Sequence, residues 1–195
     1  RCAPSLDVVG PADVLECEGR VAAVRLTDDT PVDRLAAGTL PLEDLVSEGW
    51  SRSLARGHWL DAPWDLVRHL PEMLPDDLIA LGAGLTPRPV PGCTVLGGHP
   101  VWVHEGAHVE PWVVLDAQAG PILVAEDASV AAFTRLVGPC YVAAGAQVLG
   151  GKVGTSAIGE QCRVHGEVST TIFIGYANKG HDGFVGHSVL GRWVN

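Results

Sequence analysis

Apolar residues recur every six positions along the second half of this chain, and that period admits very few folds. Reading from Val103 in sixes gives Val103, Val109 and Leu115. After a short insertion around Gly120-Pro121 the series resumes at Val124, Val130, Leu136, Val142 and Val148. A slip at Gly150-Gly151 leads to Ile158 and Val164, and a third frame gives Ile172, Asn178, Phe184 and Leu190. Four residues after each of these leads the side chain is mostly small, as at Ala107, Ala128, Thr134, Cys140, Ala146, Cys162 and Ser188. Lys152, Tyr176 and Asp182 are the exceptions. Six matches neither the 3.6-residue period of a helix nor the alternation of a simple strand. It is the period of a chain that turns a corner every six residues, pointing a branched aliphatic side chain into a triangular prism. Successive coils then stack as parallel strands about 4.8 Å apart. At about eighteen residues per coil, Val103 to Asn195 makes roughly five coils.

The first part of the chain shows no such repeat. Arg20–Leu26 reads as a strand entered from a turn at Glu18-Gly19, and Asp28-Asp29-Thr30-Pro31 carries turn chemistry. Pro41–Glu48 has the form of a short helix, with Pro in the first turn, acids after it and Gly49 at its end. A second helix is expected from Pro63 to about Leu70, with Asp61 as N-cap and Trp64, Val67 and Leu70 on one face. Pro71 is expected to interrupt or kink it, and Pro75-Asp76-Asp77 to start another turn; Asp76 and Asp77 suit capping rather than catalysis, because adjacent residues do not face each other on a helix. Thr86–Gly92, with three prolines, reads as a stiff linker. The expected organisation is therefore an α/β segment over residues 1–88 and a parallel β-helix over 89–195.

Composition sets limits on partners. With 47% hydrophobic residues and a formal net charge of -10, the chain can build a sizeable core and is poorly suited to nucleic acid or an anionic membrane surface. No apolar run reaches the length of a membrane span and the start does not read as a signal peptide, so a cytoplasmic location is the expectation. Five cysteines without a CxxC pair indicate neither a disulfide framework nor a thiolate metal site, and no metal ligands are assigned. Repeat stacks need a capping element, and none follows the apolar rung before Asn195; the expectation is that the chain is a fragment of a longer protein.

The repeat isolates its own anomaly. Asn178 falls on a lead position that should be aliphatic and Asp182 on one that should be small. A polar side chain inside a narrow prism is costly unless paired. The run Asn178-Lys179-Gly180-His181-Asp182-Gly183 is therefore expected to loop outward, its glycines supplying the backbone freedom.

The run from Glu167 to Asn195, with Asn178-Lys-Gly-His-Asp-Gly-Phe-Val-Gly-His187 at its centre and Val137-Gly-Pro139 upstream, resembles the acetyltransferase half of the GlmU-like bifunctional sugar nucleotidyltransferases. The resemblance covers about Pro91 to Asn195 and is strongest over the last thirty residues; Pro63-Trp-Asp-Leu66 resembles more loosely the tail of that family's nucleotidyltransferase domain. It implies a left-handed β-helix that transfers acetyl from acetyl-CoA to an amino-sugar-1-phosphate, assembled as a homotrimer. It also implies a nucleotidyltransferase half, with its Mg2+, largely outside this chain. By position, His181 matches the catalytic base, Glu167 an acid near it, and Asn195 an asparagine lining the acceptor and acetyl site. Independently, acylating an amine needs a base of near-neutral pKa, which an imidazole supplies at about 6.5. Glu167 could orient the ring and the Asn195 amide could polarise the acetyl carbonyl. Asn178, Lys179, Asp182, Phe184, His187 and Arg192 are the candidate substrate-binding residues, for a sugar phosphate or nucleotide sugar. The chain departs from the family at Ala144 and Ser169, where the phosphate-gripping arginine and a lysine would stand, at Phe184, where a tyrosine would, and at His187, where an aspartate would.

Two other classes remain open. A hexapeptide-repeat module can serve assembly or sugar-nucleotide binding without catalysis. His165, His181 and His187 evoke the zinc histidines of γ-class carbonic anhydrases, although their spacing does not match. His104 and His108, with Glu105 and Glu110, read as surface decoration.

Overall fold

The computed structural model describes residues 2–6, 12–26, 33, 38 and 40–195, and the expected turn at Asp28–Pro31 lies outside them. The chain divides into two compact units, Arg1–Ala62 and Pro63–Asn195.

In the first unit, β1 (Cys2–Pro4) pairs antiparallel with β5 (Gly57–Trp59). β2 (Val14–Cys17) lies between β3 (Arg20–Val24), antiparallel, and β4 (Arg52–Leu54), parallel. The expected strand after Glu18-Gly19 is present as β3, and both turn residues have positive φ, 51° and 75°. Leu42–Leu45 form a single 3₁₀ turn where a short α-helix was expected; none of its residues is buried, so no apolar face extends it. Among the described residues of this unit, Val14, Cys17, Val21 and Ala55 are the buried apolar ones.

The second unit opens with α1, Asp65–Gly82, which runs unbroken through Pro71 and Pro75. Pro71 was expected to interrupt or kink it. Each interior proline forfeits a backbone bond and costs about 3 kcal/mol. Val67, Leu70, Leu74 and Leu78 are nonetheless all buried, at about 1.5–3 kcal/mol each, and that face outweighs the loss. Asp61 does not cap this helix. The cap position is Trp64, without a side-chain bond, and Asp61 lies 3.8 Å from Arg20 in the first unit.

The hexapeptide text then folds as expected into a parallel β-helix, here with six rungs on two of its three faces. Face I stacks residues 101–103, 122–124, 140–142, 156–158, 172–173 and 189–190. Face II stacks 108–109, 129–130, 147–148, 163–164 and 178–179. Face III stacks 94–97, 114–117, 135–137, 152–154, 167–169 and 184–186. Every pairing is in parallel register, an arrangement that fits the left-handed hexapeptide form. The coils differ in length: 21 residues separate Val103 from its partner Val124, 15 separate Ile158 from Phe173, and 17 separate Phe173 from Leu190. The interior is apolar and mostly aliphatic. Val124, Val142, Ile158 and Phe173 line it from face I, Val130, Val148 and Val164 from face II, and Leu115, Leu136, Val153 and Val168 from face III. Ala128, Ala146, Cys162 and Ala177 fill the small positions. Burial pushes the Cys140 thiol up to about 12 and raises Cys162, so both serve as small apolar filler.

Corners are turned by residues in the left-handed region, among them Asp127, Phe133, Gln161, Tyr176 and Trp193. The outer side of face I is covered by α1, where Leu70, Leu74 and Leu78 pack on Trp102 and Leu123. A Cβ at Gly82 would stand 2.6 Å from the Trp102 ring, so only glycine lets helix and prism close. The expected linker at Thr86–Gly92 leads from α1 to the first rung of face III within this unit. Among the described residues no helix is long and apolar enough to cross a membrane.

The register corrects one part of the sequence frame. Phe173, not Ile172, pairs with Ile158, and Lys179, not Asn178, pairs with Val164. Val185, not Phe184, follows Val168. The reason is a shorter corner between faces III and I in the upper coils, turned by Thr155, Thr170 and His187 at φ 44–49°. Val168 and Phe173 are five residues apart, as are Val185 and Leu190, so a ruler of six laid back from Leu190 lands one residue early. In the corrected frame Ala177 takes the small position, and Tyr176 and Asp182 become outward corner residues.

Candidate functional site

The candidate residues sort onto different edges of the prism. Lys179, His181 and Asp182 lie at the corner between faces II and III, joined there by His165 from the coil below. Lys179 occupies an inward position whose equivalents are Val130, Val148 and Val164. Its ammonium reaches the corner and donates to two carbonyls, those of His165 at 2.5 Å and His181 at 2.6 Å. The His165 Nδ1 stands 3.3 Å from an Asp182 carboxylate oxygen. His181 itself is exposed. The polar run does project from the wall as its glycines suggested, and Lys179 is its inward root.

Glu167 begins the next rung, on face III. Its backbone N–H donates to the Gly183 carbonyl at 3.0 Å, and its carboxylate lies 3.8 Å from the Lys152 ammonium, both side chains more than half exposed. Such a pair contributes at most about 1 kcal/mol. Phe184 stacks directly over Glu167 in register and is 63% exposed, its ring laid across the Cα of Gly186. Between these side chains runs an open groove of ≈ 630 Å³. Its floor is Gly151, Gly166 and Gly183, its ends are Phe133 and Phe184, and Lys152, Glu167 and Asp182 supply the charge. The floor requires glycine: a Cβ at Gly151 would meet the Gly166 carbonyl oxygen at 2.1 Å, and one at Gly166 the Gly183 oxygen at 2.7 Å. A glycine floor between two aromatic rings, edged by an amine and two carboxylates, suits a small polar ring-shaped ligand carrying an amine or hydroxyls.

The remaining candidates lie elsewhere. Asn178 points out of face II, in register with Arg163, and its amide donates to the Asn195 side-chain oxygen at 2.7 Å. His187 turns the corner between faces III and I, its N–H on the Ser169 carbonyl at 3.0 Å. Arg192 sits at the corner between faces I and II, its guanidinium 4.7 Å from the Tyr176 ring, which stacks on Trp193. The structure thus brings together Lys179, His181, Asp182, Glu167 and Phe184 along one edge, and holds Asn178 with Asn195 on face II. Among the described residues, no hydrogen bond or ion pair joins the His181 ring to Glu167 or Asn195. His165 and His181 share one corner while His187 occupies another.

Lys152, Phe133 and the glycine floor went unassigned in the sequence. Lys152 did carry a signal, as an exception to the small-residue rule next to the slip at Gly150-Gly151. Phe133 is stacked on Trp112, ring centroids 5.5 Å apart, a contact between coils that no local pattern announces. The chain matches no protein-family model, no curated protein and no solved structure.

Proposed function

We propose that this chain is the acyl-transfer part of a GlmU-like protein, moving acetyl from acetyl-CoA to the amino group of an amino-sugar-1-phosphate. The observation that carries the reading is the groove at the corner between faces II and III, with His181 on the excursion beside it. In the proposed step the amine nitrogen attacks the thioester carbonyl, CoA leaves as thiolate, and the amine proton passes to the His181 imidazole. Glu167 and Asp182 draw the amine into the groove, and the aromatic rings at its ends flank the sugar. Asn195, Asn178, His187 and Arg192 lie on other edges, where a neighbouring copy in the proposed homotrimer would have to bring them to the acceptor. The Mg2+ implied for nucleotidyl transfer belongs to the half of the protein outside this chain. A cytoplasmic setting, where acetyl-CoA is made and used, goes with this reading.

The test is release of free CoA from acetyl-CoA by the purified protein, with amino-sugar-1-phosphates as acceptors. His181→Ala should lower turnover by about 10²–10⁴-fold, the usual worth of a positioned general base. Unchanged turnover removes His181 from the chemistry. One observation favours a second reading, a non-catalytic module that binds a sugar nucleotide: no hydrogen bond or ion pair orients the His181 ring among the described residues. Sugar-nucleotide binding with no CoA release would select it.

A further inference from the structure

Lysine is the wrong residue for an inward position of this prism by every local rule. The equivalent positions two and three coils below hold valine with essentially no exposure, and Val164, directly beneath, is fully buried. An ammonium among them has to leave the apolar interior and find acceptors, and its four-carbon stem is long enough to do so. It finds two backbone carbonyls, at 2.5 and 2.6 Å, on two successive coils of one corner. Both belong to histidines, His165 below and His181 above. The site beside it is shaped to match, for Gly166 has φ +88° and a Cβ there would stand 3.2 Å from the Lys179 Nζ. The His165–Asp182 pair at 3.3 Å closes the same corner from outside.

We infer that Lys179 is a positioning residue, whose ammonium clasps the carbonyls of His165 and His181 and holds the outward excursion 180–183 against the coil below. Besides this clasp the excursion is fixed by the Glu167 N–H on the Gly183 carbonyl and by the His165–Asp182 pair. His181, Asp182 and Gly183 are all exposed, and a Cβ at Gly183 would meet nothing within 4 Å. A charge-assisted hydrogen bond is roughly twice as strong as a neutral one, so one such bond to His181 in the loop and a second to His165 beneath it tie the loop to the coil below. Lys179 therefore faces the wall and not a substrate phosphate, and the positive charge open to the groove is that of Lys152. Only the consequence for turnover rests on the acyl-transfer reading; the clasp itself does not.

The chain has two lysines, which makes the test direct. Limited acetylation by an N-hydroxysuccinimide ester, read by peptide mass spectrometry on the folded wild-type protein, should modify exposed Lys152 about tenfold or more faster than Lys179. Equal rates overturn the clasp without any variant having to fold. In Lys179→Met, which keeps the apolar stem, exchange of the Glu167 amide, whose N–H donates to the Gly183 carbonyl of the excursion, should rise about tenfold or more while the coils at Val124 and Val142 stay protected. Exchange that does not change overturns the inference, and Lys179→Arg, which keeps donors at the corner, should restore part of the protection. If the protein turns over acetyl-CoA, Lys179→Met should lower kcat with little change in the KM for acetyl-CoA, and Lys179→Arg should recover some of it. Variant KM rising with kcat unchanged would instead make Lys179 a substrate ligand and overturn the positioning role. A protected Lys179 in a protein that releases no CoA supports the clasp and removes the acyltransferase reading, so the two fail separately.

Discussion

Replacing Gly151 and Gly183 in turn by alanine tests the floor of the groove. Both have positive φ, +92° and +125°, where an L-residue is strained by about 1–3 kcal/mol. They differ in what the new methyl meets. At Gly183 nothing lies within 4 Å, so strain is the whole cost. At Gly151 the Cβ would stand 2.1 Å from the Gly166 carbonyl oxygen, 2.6 Å from its carbon and 2.8 Å from its Cα. All three are backbone atoms of the next coil, and real Cβ contacts essentially never fall under 3.0 Å. The two coils must therefore part by nearly an ångström at the place where Gly151 pairs with Gly166 and Lys152 with Glu167. Two ladder bonds weakened there, at about 0.5–1.5 kcal/mol each, bring the expected cost of Gly151→Ala to about 2–6 kcal/mol. Gly183→Ala should cost about 1–3 kcal/mol. Urea unfolding followed by far-UV circular dichroism, with the slope m compared between variants, reads the difference. If Gly151→Ala proves as mild as Gly183→Ala, the coils are not in the close contact described and the glycine floor is no constraint.

Other substitutions test the register and the charges. Phe173→Ala should cost about 3–5 kcal/mol, the usual loss for a fully buried phenylalanine, and Ile172→Ala roughly half that; the reverse order in urea melts would restore the frame that puts Ile172 inside. The Arg135 guanidinium, 2.5 Å from the Asp116 carboxylate, holds that carboxyl below the usual range. A depressed folded pKa gives stability that is fully present above the unfolded value of about 3.9 and is lost as pH falls through the folded one. The urea midpoint should therefore fall on acidification below about pH 4, and less steeply in Asp116→Asn; parallel acid limbs in the two proteins would remove Asp116 as a source.

The fold was legible because a narrow prism leaves its interior positions almost no chemical freedom. Val124, Val130, Leu136, Val142 and Val148 could be placed from spacing alone, and each is fully buried or nearly so. What spacing could not supply was the length of each corner, since a turn of five residues through Thr170 or His187 looks locally like one of six. Likewise α1 was cut at Pro71 on local rules, because the burial that carries it through both prolines depends on Trp102 and Leu123, which lie far along the chain in the prism. The groove was half legible. Asp182 announced itself as a departure from the repeat with His181 beside it, and Glu167 and Phe184 were singled out by the resemblance, whereas Phe133 and the glycine floor are brought to them only by stacking.

Lys179 shows where the missing information lay. Two alternative frames were available for the last coils, one placing Asn178 inside and the other Lys179. Side-chain size and charge favour the asparagine, and that choice left Tyr176 and Asp182 as unexplained exceptions in positions reserved for small groups. Moving the frame by one residue puts the buried Ala177 in the small position and leaves Asp182 outside on the exposed excursion, which removes both exceptions at once, at the cost of one lysine stem rooted in the wall. That cost is small if the ammonium can pass the wall, and the corner left open beside Gly166 provides the exit. The steric demand of the tight position at Ala177 outweighs the polarity of one long, flexible side chain, because a methyl-sized slot cannot adapt and a lysine can. In a prism of this kind the small positions therefore determine the register more firmly than the aliphatic ones, and a lysine among the leads marks a corner held by its ammonium.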